Sequence, residues 1–180
     1  MIEPQDVGVL RGDQVVDITA EVNDVPHRDN RDLIVGVIER YDTYKGRLQK
    51  FVAGCKGVPL SAVKIRPPMP RPGNIDCMAV PTLEGGAPAA INAFQKAPSA
   101  IIGSGDTMVL PDVPAGIFEG EAELALVIGK RASNVRAADA MSHVFGYLNF
   151  IDGSARGLLP AGNTFFQMKS RETFAPTGPF

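Results

Sequence analysis

Hydrophobic and polar residues alternate along residues 118–130, which is the pattern of a β-strand with two unlike faces. The alternation predicts a strand that packs its apolar face into a core and presents carboxylates on the opposite face. The acidic face would carry Glu119, Glu121, Glu123, Ala125 and Val127. The apolar face would carry Phe118, Ala122, Leu124, Leu126 and Ile128.

Three glutamates on one strand face form a candidate cation site. Neighbours on the same face lie about 7 Å apart, and like charges at that distance raise one another's pKa unless a positive charge lies between them. Mg²⁺, Mn²⁺ and Ca²⁺ prefer carboxylate oxygens, so a divalent cation fits this pattern. The alternative is a solvated acidic face. The spacing alone does not decide between the pairs Glu119/Glu121 and Glu121/Glu123.

The first third of the chain predicts a hairpin followed by a helix. Residues 7–18 form two apolar runs around a glycine-containing turn, which is typical of a β-hairpin. Beyond the capping candidate Asp29, apolar residues at three- and four-residue spacing predict one long amphipathic helix over Leu33–Val52, which ends near Gly54 or Gly57. The helix residues expected to be buried against the hairpin are Ile34, Val37, Ile38, Tyr41 and Leu48.

A proline-rich connector at residues 67–72 marks a domain boundary. We therefore expect a hairpin–helix lobe over residues 1–66 and a β-rich domain over residues 67–180. In the second part, short apolar runs broken by Gly and Pro predict a strand at 75–80, a loop at 81–90 and a strand–turn–strand at 100–110. The fold class is α+β and rich in strands.

Composition excludes several classes of partner. Hydrophobic residues make up 44% of the 180 residues, and the net charge is −2 with no basic run, so neither nucleic acid nor an anionic membrane surface is expected as a partner. No apolar run approaches the roughly 20 residues needed to cross a bilayer, and the first residues lack a signal-peptide pattern. Cys55 and Cys77 form no disulfide framework or zinc motif. We expect a cytoplasmic protein.

Two further stretches carry candidate chemistry. A strand that ends at Asp152 would bring a third carboxylate to the glutamates, and Arg156 would bind a substrate carboxylate through its planar guanidinium. The alternative is a turn aspartate paired with an arginine. Lys169 lies between aromatic and methionine residues, where desolvation would lower the pKa of its ammonium and prepare it for proton transfer. The alternative is a lysine that extends from a strand into solvent.

In these three stretches the sequence resembles the fumarylacetoacetate hydrolase family. The resemblance is carried by Glu121-x-Glu123-Leu124, by Asp152-x-Ser154-Ala155-Arg156 and by Lys169-Ser170 with Thr173-Phe174-Ala175-Pro176-x-Gly178-Pro179. It extends to Phe94-Gln95-Lys96-Ala97-Pro98 and Ile102-Gly103-x-Gly105-Asp106. It implies a mixed β-roll behind a small N-terminal α/β lobe.

The resemblance also implies a site and a reaction class. Glu121, Glu123 and Asp152 would bind Mg²⁺ (or Mn²⁺ or Ca²⁺), and Arg156 and Lys169 would be the catalytic and substrate-binding residues. The substrate would be a 2-oxo or 1,3-dicarbonyl carboxylic acid, as in the catabolism of aromatic compounds. The reaction would be C–C bond cleavage, decarboxylation or keto–enol isomerisation.

Two departures from the family pattern refine these expectations. Family hydrolases carry an Asn-Tyr-x-x-His-x-x-Glu run where residues 80–88 here contain no histidine, and the Asp and Gln that often follow Ser-Ala-Arg are replaced by Gly157-Leu158-Leu159. Decarboxylation and tautomerisation need no activated water, so the missing histidine favours them over hydrolysis. The alternatives are a hydrolase or hydratase with a base from elsewhere, and an inactive or split-family subunit that completes a partner chain.

Family members continue well beyond the Gly-Pro that corresponds to Gly178-Pro179. The resemblance therefore predicts a roll that is truncated on its C-terminal side, in a homodimer or with a second chain that supplies the missing half. An uncovered sheet edge or an exposed apolar patch is expected near the following residues: Leu158, Phe165, Phe166, Phe174 and Phe180.

Overall fold

Strands form most of the regular structure in the computed structural model, which describes residues 6–79, 90–159 and 165–179. Among these residues the strands make one three-stranded sheet and three two-stranded sheets, with three α-helices, so the α+β, strand-rich class is confirmed. The chain divides into two compact units. The first holds Met1–Ile65 and Leu126–Tyr147, and the second holds Arg66–Ala125 and Leu148–Phe180. The expected division into domains 1–66 and 67–180 stays a prediction.

The first unit begins with the predicted hairpin. Strands β1 (Gly8–Arg11) and β2 (Gln14–Asp17) pair antiparallel, and Gly12 in the turn between them has a φ of 62°, which glycine adopts without steric cost. A short strand, β3 (Val58–Pro59), pairs with the other edge of β2. The hairpin prediction is therefore confirmed.

Two helices replace the single long helix that the apolar spacing predicts. Helix α1 covers Asn30–Glu39 and helix α2 covers Tyr41–Gly54, and Arg40 between them has a non-helical backbone (φ −112°, ψ 16°). Asp29 caps α1, because its side chain accepts hydrogen bonds from the backbone N–H groups of the first turn. The prediction of one continuous helix over Leu33–Val52 is therefore wrong, because the helix is interrupted at Arg40. In the described residues, no helix has both the length and the apolar character needed to cross a membrane.

Both helices contribute to one core cluster with the hairpin, which is why the apolar spacing continues across the break. Of the helix residues expected to be buried, Val37, Ile38 and Leu48 are buried, whereas Ile34 and Tyr41 are half-buried. The buried members of the cluster are Val7, Ile18, Val22, Val25, Leu33, Val37, Tyr44 and Leu48. The packing of the helices on the hairpin is confirmed.

The second unit is built from short strands. β4 (Ile75–Met78) pairs antiparallel with β5 (Ala93–Lys96), and β6 (Ile101–Ile102) pairs parallel with β9 (Ala175–Pro176). The strand predicted at 75–80 is confirmed for its described part, and the loop predicted at 81–90 lies almost entirely outside the described residues. Residues 107–110 are not a strand, so only the first half of the predicted strand–turn–strand is present.

Two long strands, β7 (Ile117–Ile128) and β8 (Val144–Arg156), form a ribbon. The strand predicted over the glutamates is confirmed, but its faces are buried in the opposite sense. Glu121 and Glu123 are half-buried, whereas Leu124, Leu126 and Ile128 are 65%, 48% and 56% exposed. The expectation that the apolar face packs into a core is wrong from Leu124 onward, because the elements that pack on this part of the strand approach its carboxylates, whereas Phe118 at the start of the strand does pack against Phe174.

The apolar patch expected near the chain end is also misplaced. Leu158 and Phe174 are buried, in a small cluster with Ala155, and Phe165 is half-buried. Phe166 is exposed, and Phe180 lies outside the described residues. The exposed apolar side chains concentrate instead on the outward-facing positions of β7 and β8: Leu124, Leu126, Ile128, Phe145, Tyr147 and Ile151.

Candidate functional site

Four elements of the second unit bring charged side chains together. Strand β7 carries the glutamates, and strand β8 carries Asp152, Ser154 and Arg156 at alternate positions, so that all three point to one face. Helix α3 (Phe165–Lys169) ends in Lys169, and strand β5 ends in Lys96. The hydrogen bonds among these side chains join residues that lie far apart in the sequence.

Three carboxylates lie close enough together to share one cation. One oxygen from each of Glu121, Glu123 and Asp152 lies within 4.8 Å of the other two. These are the residues that the family resemblance selects, and Glu119 is not among them. Carboxylate oxygens are the donors that hard divalent cations prefer, so the group fits Mg²⁺, Mn²⁺ or Ca²⁺ as part of a coordination shell. Their role as ligands stays a prediction.

Glu121 is held by three donors. Its Oε1 atom accepts hydrogen bonds from Ser154 Oγ (2.8 Å), from an Arg156 NH2 group (2.8 Å) and from Lys169 Nζ (2.7 Å). Partial burial alone would raise the pKa of this carboxyl, but the hydrogen bonds from Lys169 and Ser154 outweigh burial and lower the pKa. Glu121 therefore remains ionised to a lower pH than an ordinary glutamate.

Asp152 is the most deeply buried carboxylate of the group. Its side chain is 1% exposed and lies between two ammonium groups: Lys96 Nζ is 2.6 Å from Oδ1, and Lys169 Nζ contacts Oδ2. Both lysines are almost fully buried as well. Buried charges of this kind persist only when they are paired, so the three side chains depend on one another.

Among the described residues, Glu123 is the one carboxylate of this cluster that forms no ion pair with its lysines or its arginine. Partial burial and the negative charges of Asp152 and Glu121 raise its pKa. The cluster contains four carboxylates (Glu119, Glu121, Glu123, Asp152) and three cations (Lys96, Arg156, Lys169), so its formal charge is −4 + 3 = −1. Glu123 thus carries the charge that a bound cation would neutralise.

Lys169 is brought into the cluster by helix α3, whose last turn is attached to β5. The backbone N–H of Ala97 donates to Ser170 Oγ (3.1 Å), which in turn donates to the carbonyl of Gln95 (3.0 Å). The Lys169 ammonium also lies 5.2 Å from the centre of the Phe94 ring. Burial alone would lower the pKa of Lys169, but the hydrogen bonds to Asp152 and Glu121 outweigh burial and raise it. The expectation of a lowered pKa is therefore wrong.

Arg156 contacts the glutamate that lies outside the three-carboxylate group. Its Nε group donates to Glu119 and its NH2 group to Glu121, and the side chain is 41% exposed. Glu119 therefore holds the guanidinium in place from the same strand face. The role of Arg156 in substrate binding stays a prediction.

Sequence reasoning missed Lys96 as a member of the site. Phe94 and Lys96 lie on the buried face of β5, whose two other residues are exposed. A lysine at a core-facing strand position requires a buried counter-ion, and this was the available signal. Its partner Asp152 lies 56 residues further along the chain, a distance that no local pattern reveals.

Three other nucleophile or base candidates, one cysteine and two histidines, do not contribute. Burial, together with the charges of Asp152 and Glu123, raises the pKa of the Cys77 thiol to about 12, so the reactive thiolate is scarce at neutral pH. The two histidines contact backbone carbonyls in the first unit: His27 Nδ1 lies 2.6 Å from the oxygen of Val25, and His143 Nδ1 lies 3.4 Å from that of Lys130.

A surface cavity of about 520 Å³ lies beside α3 rather than at the carboxylates. Its lining includes Val109, Phe166 and Arg171 and contains none of the clustered carboxylates. We place the candidate site at the carboxylates, because in the part of the chain that the structure describes this is where several buried charged groups converge.

Comparison with known proteins identifies relatives over most of the chain. Residues 75–180, more than half of the chain, match the family described as fumarylacetoacetate (FAA) hydrolase C-terminal. Oxaloacetate tautomerase YisK of Bacillus subtilis (strain 168) is 36% identical over 129 residues, which are 67% of this chain and 43% of that relative. The human mitochondrial oxaloacetate tautomerase FAHD2A is 33% identical over 68% of this chain and 41% of its own length. This chain thus spans less than half of either relative.

A solved structure shares the fold. The maleylpyruvate hydrolase of Sphingobium sp. SYK-6, in complex with manganese(II) ion and pyruvate, superposes with a TM-score of 0.81 at 30% identity. The match covers 97% of this chain and 62% of that one. Because the family match, the relatives and the fold agree, this chain belongs to the fumarylacetoacetate hydrolase family.

Proposed function

We propose that this chain forms the metal-binding part of a divalent-metal-dependent enzyme that isomerises a 2-oxo dicarboxylic acid between its keto and enol forms. The observation that carries the proposal is the approach of the Glu121, Glu123 and Asp152 oxygens to within 4.8 Å of one another beside the buried ammonium of Lys169. The relatives named oxaloacetate tautomerase support isomerisation, and the manganese(II) and pyruvate in the maleylpyruvate hydrolase structure support a metal and a 2-oxo acid.

Each charged group of the site would have a separate role in the reaction. When bound, a divalent cation would supply positive charge to the carboxylate and 2-oxo oxygens of the substrate, which stabilises negative charge on an enolate. The raised pKa of Lys169 keeps its ammonium protonated at neutral pH, so Lys169 would act as a proton donor or as a fixed positive charge rather than as a base. Arg156, held by Glu119, would bind the second carboxylate of the substrate.

Decarboxylation and C–C cleavage are the competing reactions within the same family. A relative named as a hydrolase shares the fold, so a hydrolytic reaction stays a candidate. Hydrolysis requires a base that activates water, and no histidine contacts the described carboxylates. This observation favours isomerisation and decarboxylation over hydrolysis, because neither needs a nucleophilic water, and the relatives named oxaloacetate tautomerase favour isomerisation between the two.

Enolic oxaloacetate should be ketonised faster in the presence of the protein and Mg²⁺ or Mn²⁺, and EDTA should remove the effect. The decay of the enol absorbance measures isomerisation, and pyruvate release measures decarboxylation in the same sample. Lys169→Met should lose the activity, because the substitution removes the ammonium, whereas Lys130→Met, at an exposed lysine, should retain it. A protein that binds Mn²⁺ yet accelerates neither reaction, nor the cleavage of acylpyruvates, would instead support the inactive-subunit alternative.

We also propose that the outward face of the ribbon in the first unit is covered by further polypeptide of the family fold. Leu126 and Ile128 on β7 and Phe145 and Tyr147 on β8 are exposed together, and the match leaves more than a third of the maleylpyruvate hydrolase chain without a counterpart here. That polypeptide would be provided by the same gene product, by a second chain or by a homodimer partner. The cytoplasmic location likewise stays a prediction.

The 180-residue chain expressed alone should bind a hydrophobic dye or self-associate, because this apolar face is uncovered. Leu126→Lys should reduce both effects by introducing a charge into the face, whereas Leu159→Lys, at an exposed leucine of the other unit, should not. Dye fluorescence and the mass from light scattering are the measurements. A dye-free monomer at high concentration would contradict the proposal.

A further inference from the structure

Lys96 is a buried cation that donates hydrogen bonds to Asp152 and Gly153, which lie within strand β8 rather than at a strand end as the sequence predicts. Its side chain is fully buried, and its ammonium donates to Asp152 Oδ1 (2.6 Å) and to the carbonyl of Gly153 (3.0 Å). A buried ammonium is costly unless its charge is paired and its hydrogen bonds are made, so the position depends on these two contacts. The two hydrogen bonds fix both the carboxylate and the backbone that follows it.

The two oxygens of Asp152 therefore have different surroundings. Oδ1 accepts a hydrogen bond from the Lys96 ammonium. Oδ2 contacts Lys169, whose ammonium also bonds to Oε1 of Glu121, so Oδ2 is the oxygen on the side of the carboxylate group. One oxygen of Asp152 is thus committed to Lys96, and the other faces the candidate cation site.

We propose that Lys96 is a positioning residue that makes Asp152 a one-oxygen ligand and thereby favours small six-coordinate cations over Ca²⁺. The proposal rests on the proposed function, in which Asp152 contributes to a metal site. Mg²⁺ requires about six ligands in near-octahedral geometry, whereas Ca²⁺ takes six to eight and accepts both oxygens of a carboxylate. A carboxylate whose Oδ1 is held by an ammonium offers one oxygen to a cation, which suits the first requirement and withholds the two-oxygen contact that Ca²⁺ can use.

The contact with Gly153 strengthens this inference. The Gly153 carbonyl accepts a second hydrogen bond from the Lys96 ammonium, and an ammonium held at both Oδ1 and the next carbonyl restricts rotation of the carboxylate. The hydrogen-bond partners of ligand side chains typically contribute 10- to 100-fold to metal affinity, because they orient the ligand atom. Lys96 is placed to contribute in this way without touching a cation or a substrate.

Cation affinities of the wild-type protein and of Lys96→Met test the inference. Methionine keeps a long unbranched side chain but removes the ammonium. Free Mn²⁺ is measured by electron paramagnetic resonance, and Mg²⁺ and Ca²⁺ are measured by competition. K96M should lose about 10- to 100-fold in affinity for Mn²⁺ and Mg²⁺. Its affinity for Ca²⁺ should change much less, because the freed Oδ1 becomes a second ligand atom. K130M is the matched control and should bind all three cations as the wild type does.

The outcomes separate this inference from the proposed function. Equal loss for all three cations in K96M, or no loss, would overturn the positioning role while leaving the metal site intact. A wild-type protein that binds none of the three would overturn the metal site itself. If K96M does not fold, the pair D152N and K96M/D152N replaces it. Lys96 acts through Asp152 if both variants bind Mn²⁺ equally, and an additional loss in the double variant would contradict the inference.

Discussion

Replacing Asp152 with Asn should lower the free energy of unfolding by about 3 to 5 kcal/mol, the cost of leaving buried charges without a partner. The substitution keeps the size of the side chain but removes the negative charge between Lys96 and Lys169, whose side chains are 0% and 4% exposed. The new amide N–H₂ group would also face one ammonium, donor against donor. Urea denaturation followed by circular dichroism measures the effect, which corresponds to a fall of about 6 to 20 °C in Tm.

Two variants make the expectation specific. Asp139→Asn removes an exposed carboxylate that pairs with Arg136 and should change stability by less than about 0.5 kcal/mol. The double variant K96M/D152N should recover part of the stability lost in D152N, because the unpaired ammonium of Lys96 is absent. A loss below about 1 kcal/mol in D152N would show that Asp152 does not balance the two lysines.

The residues of the candidate site were predictable because they lie in short motifs with a regular period. The period of two along residues 117–128 places Glu121 and Glu123 on one face whatever the strand packs against. Asp152 and Arg156 lie on one strand at a fixed distance from each other, and the family resemblance joins this strand to the glutamates. Local spacing and resemblance together identified the group.

Which face of β7 is buried could not be predicted, because the answer depends on elements distant in the sequence. An isolated strand with glutamates on one face and leucines on the other should bury the leucines. Here Lys169, from α3, provides counter-charges that draw Glu121 inward. The leucine face contacts too little of the described chain to be covered, so Leu124 and Leu126 remain exposed.

The break between the first two helices was hidden for a different reason. Apolar spacing reports the face of a helix that meets the core, and both α1 and α2 meet the same cluster through Val37 and Leu48. Arg40 ends one helix with a bond from its N–H to the carbonyl of Gly36, and its own carbonyl accepts from Thr43 at the start of the next. Neither glycine nor proline marks the position, so the sequence carries no local signal of the break.

Replacing Glu123 with Gln should make the protein more stable in EDTA and abolish its stabilisation by Mg²⁺ or Mn²⁺. Glu123 has no counter-ion among the described residues, and burial and the charges of Asp152 and Glu121 raise its pKa. Gln removes this repulsion but takes a charged ligand from the cation. A cation at 100 times its Kd adds about 2.7 kcal/mol to the wild type, and the variant should lose this gain.

The stability difference in EDTA should depend on pH in a defined direction. A carboxyl whose pKa is raised on folding destabilises the native state when it is ionised, so the advantage of E123Q is fully present above the raised pKa. The advantage declines as the pH falls through the raised pKa of Glu123 and vanishes below the ordinary value of 4.5, where both states are protonated. The metal stabilisation of the wild type should weaken over the same interval, because the protonated carboxyl no longer binds a cation.

Thermal unfolding separates a role of Glu123 in metal binding from a general effect of removing a charge. The measurement compares the wild type, E123Q and E119Q, each with EDTA and with Mn²⁺. Glu119 lies on the same strand face but contacts Arg156 and is outside the three-carboxylate group, so E119Q should keep its stabilisation by Mn²⁺. The expected result is a crossover, with E123Q more stable than the wild type in EDTA and less stable in Mn²⁺. Stabilisation of E123Q by Mn²⁺ equal to that of the wild type would remove Glu123 from the cation site. Loss of stabilisation in E119Q alone would move the site to the pair Glu119 and Glu121.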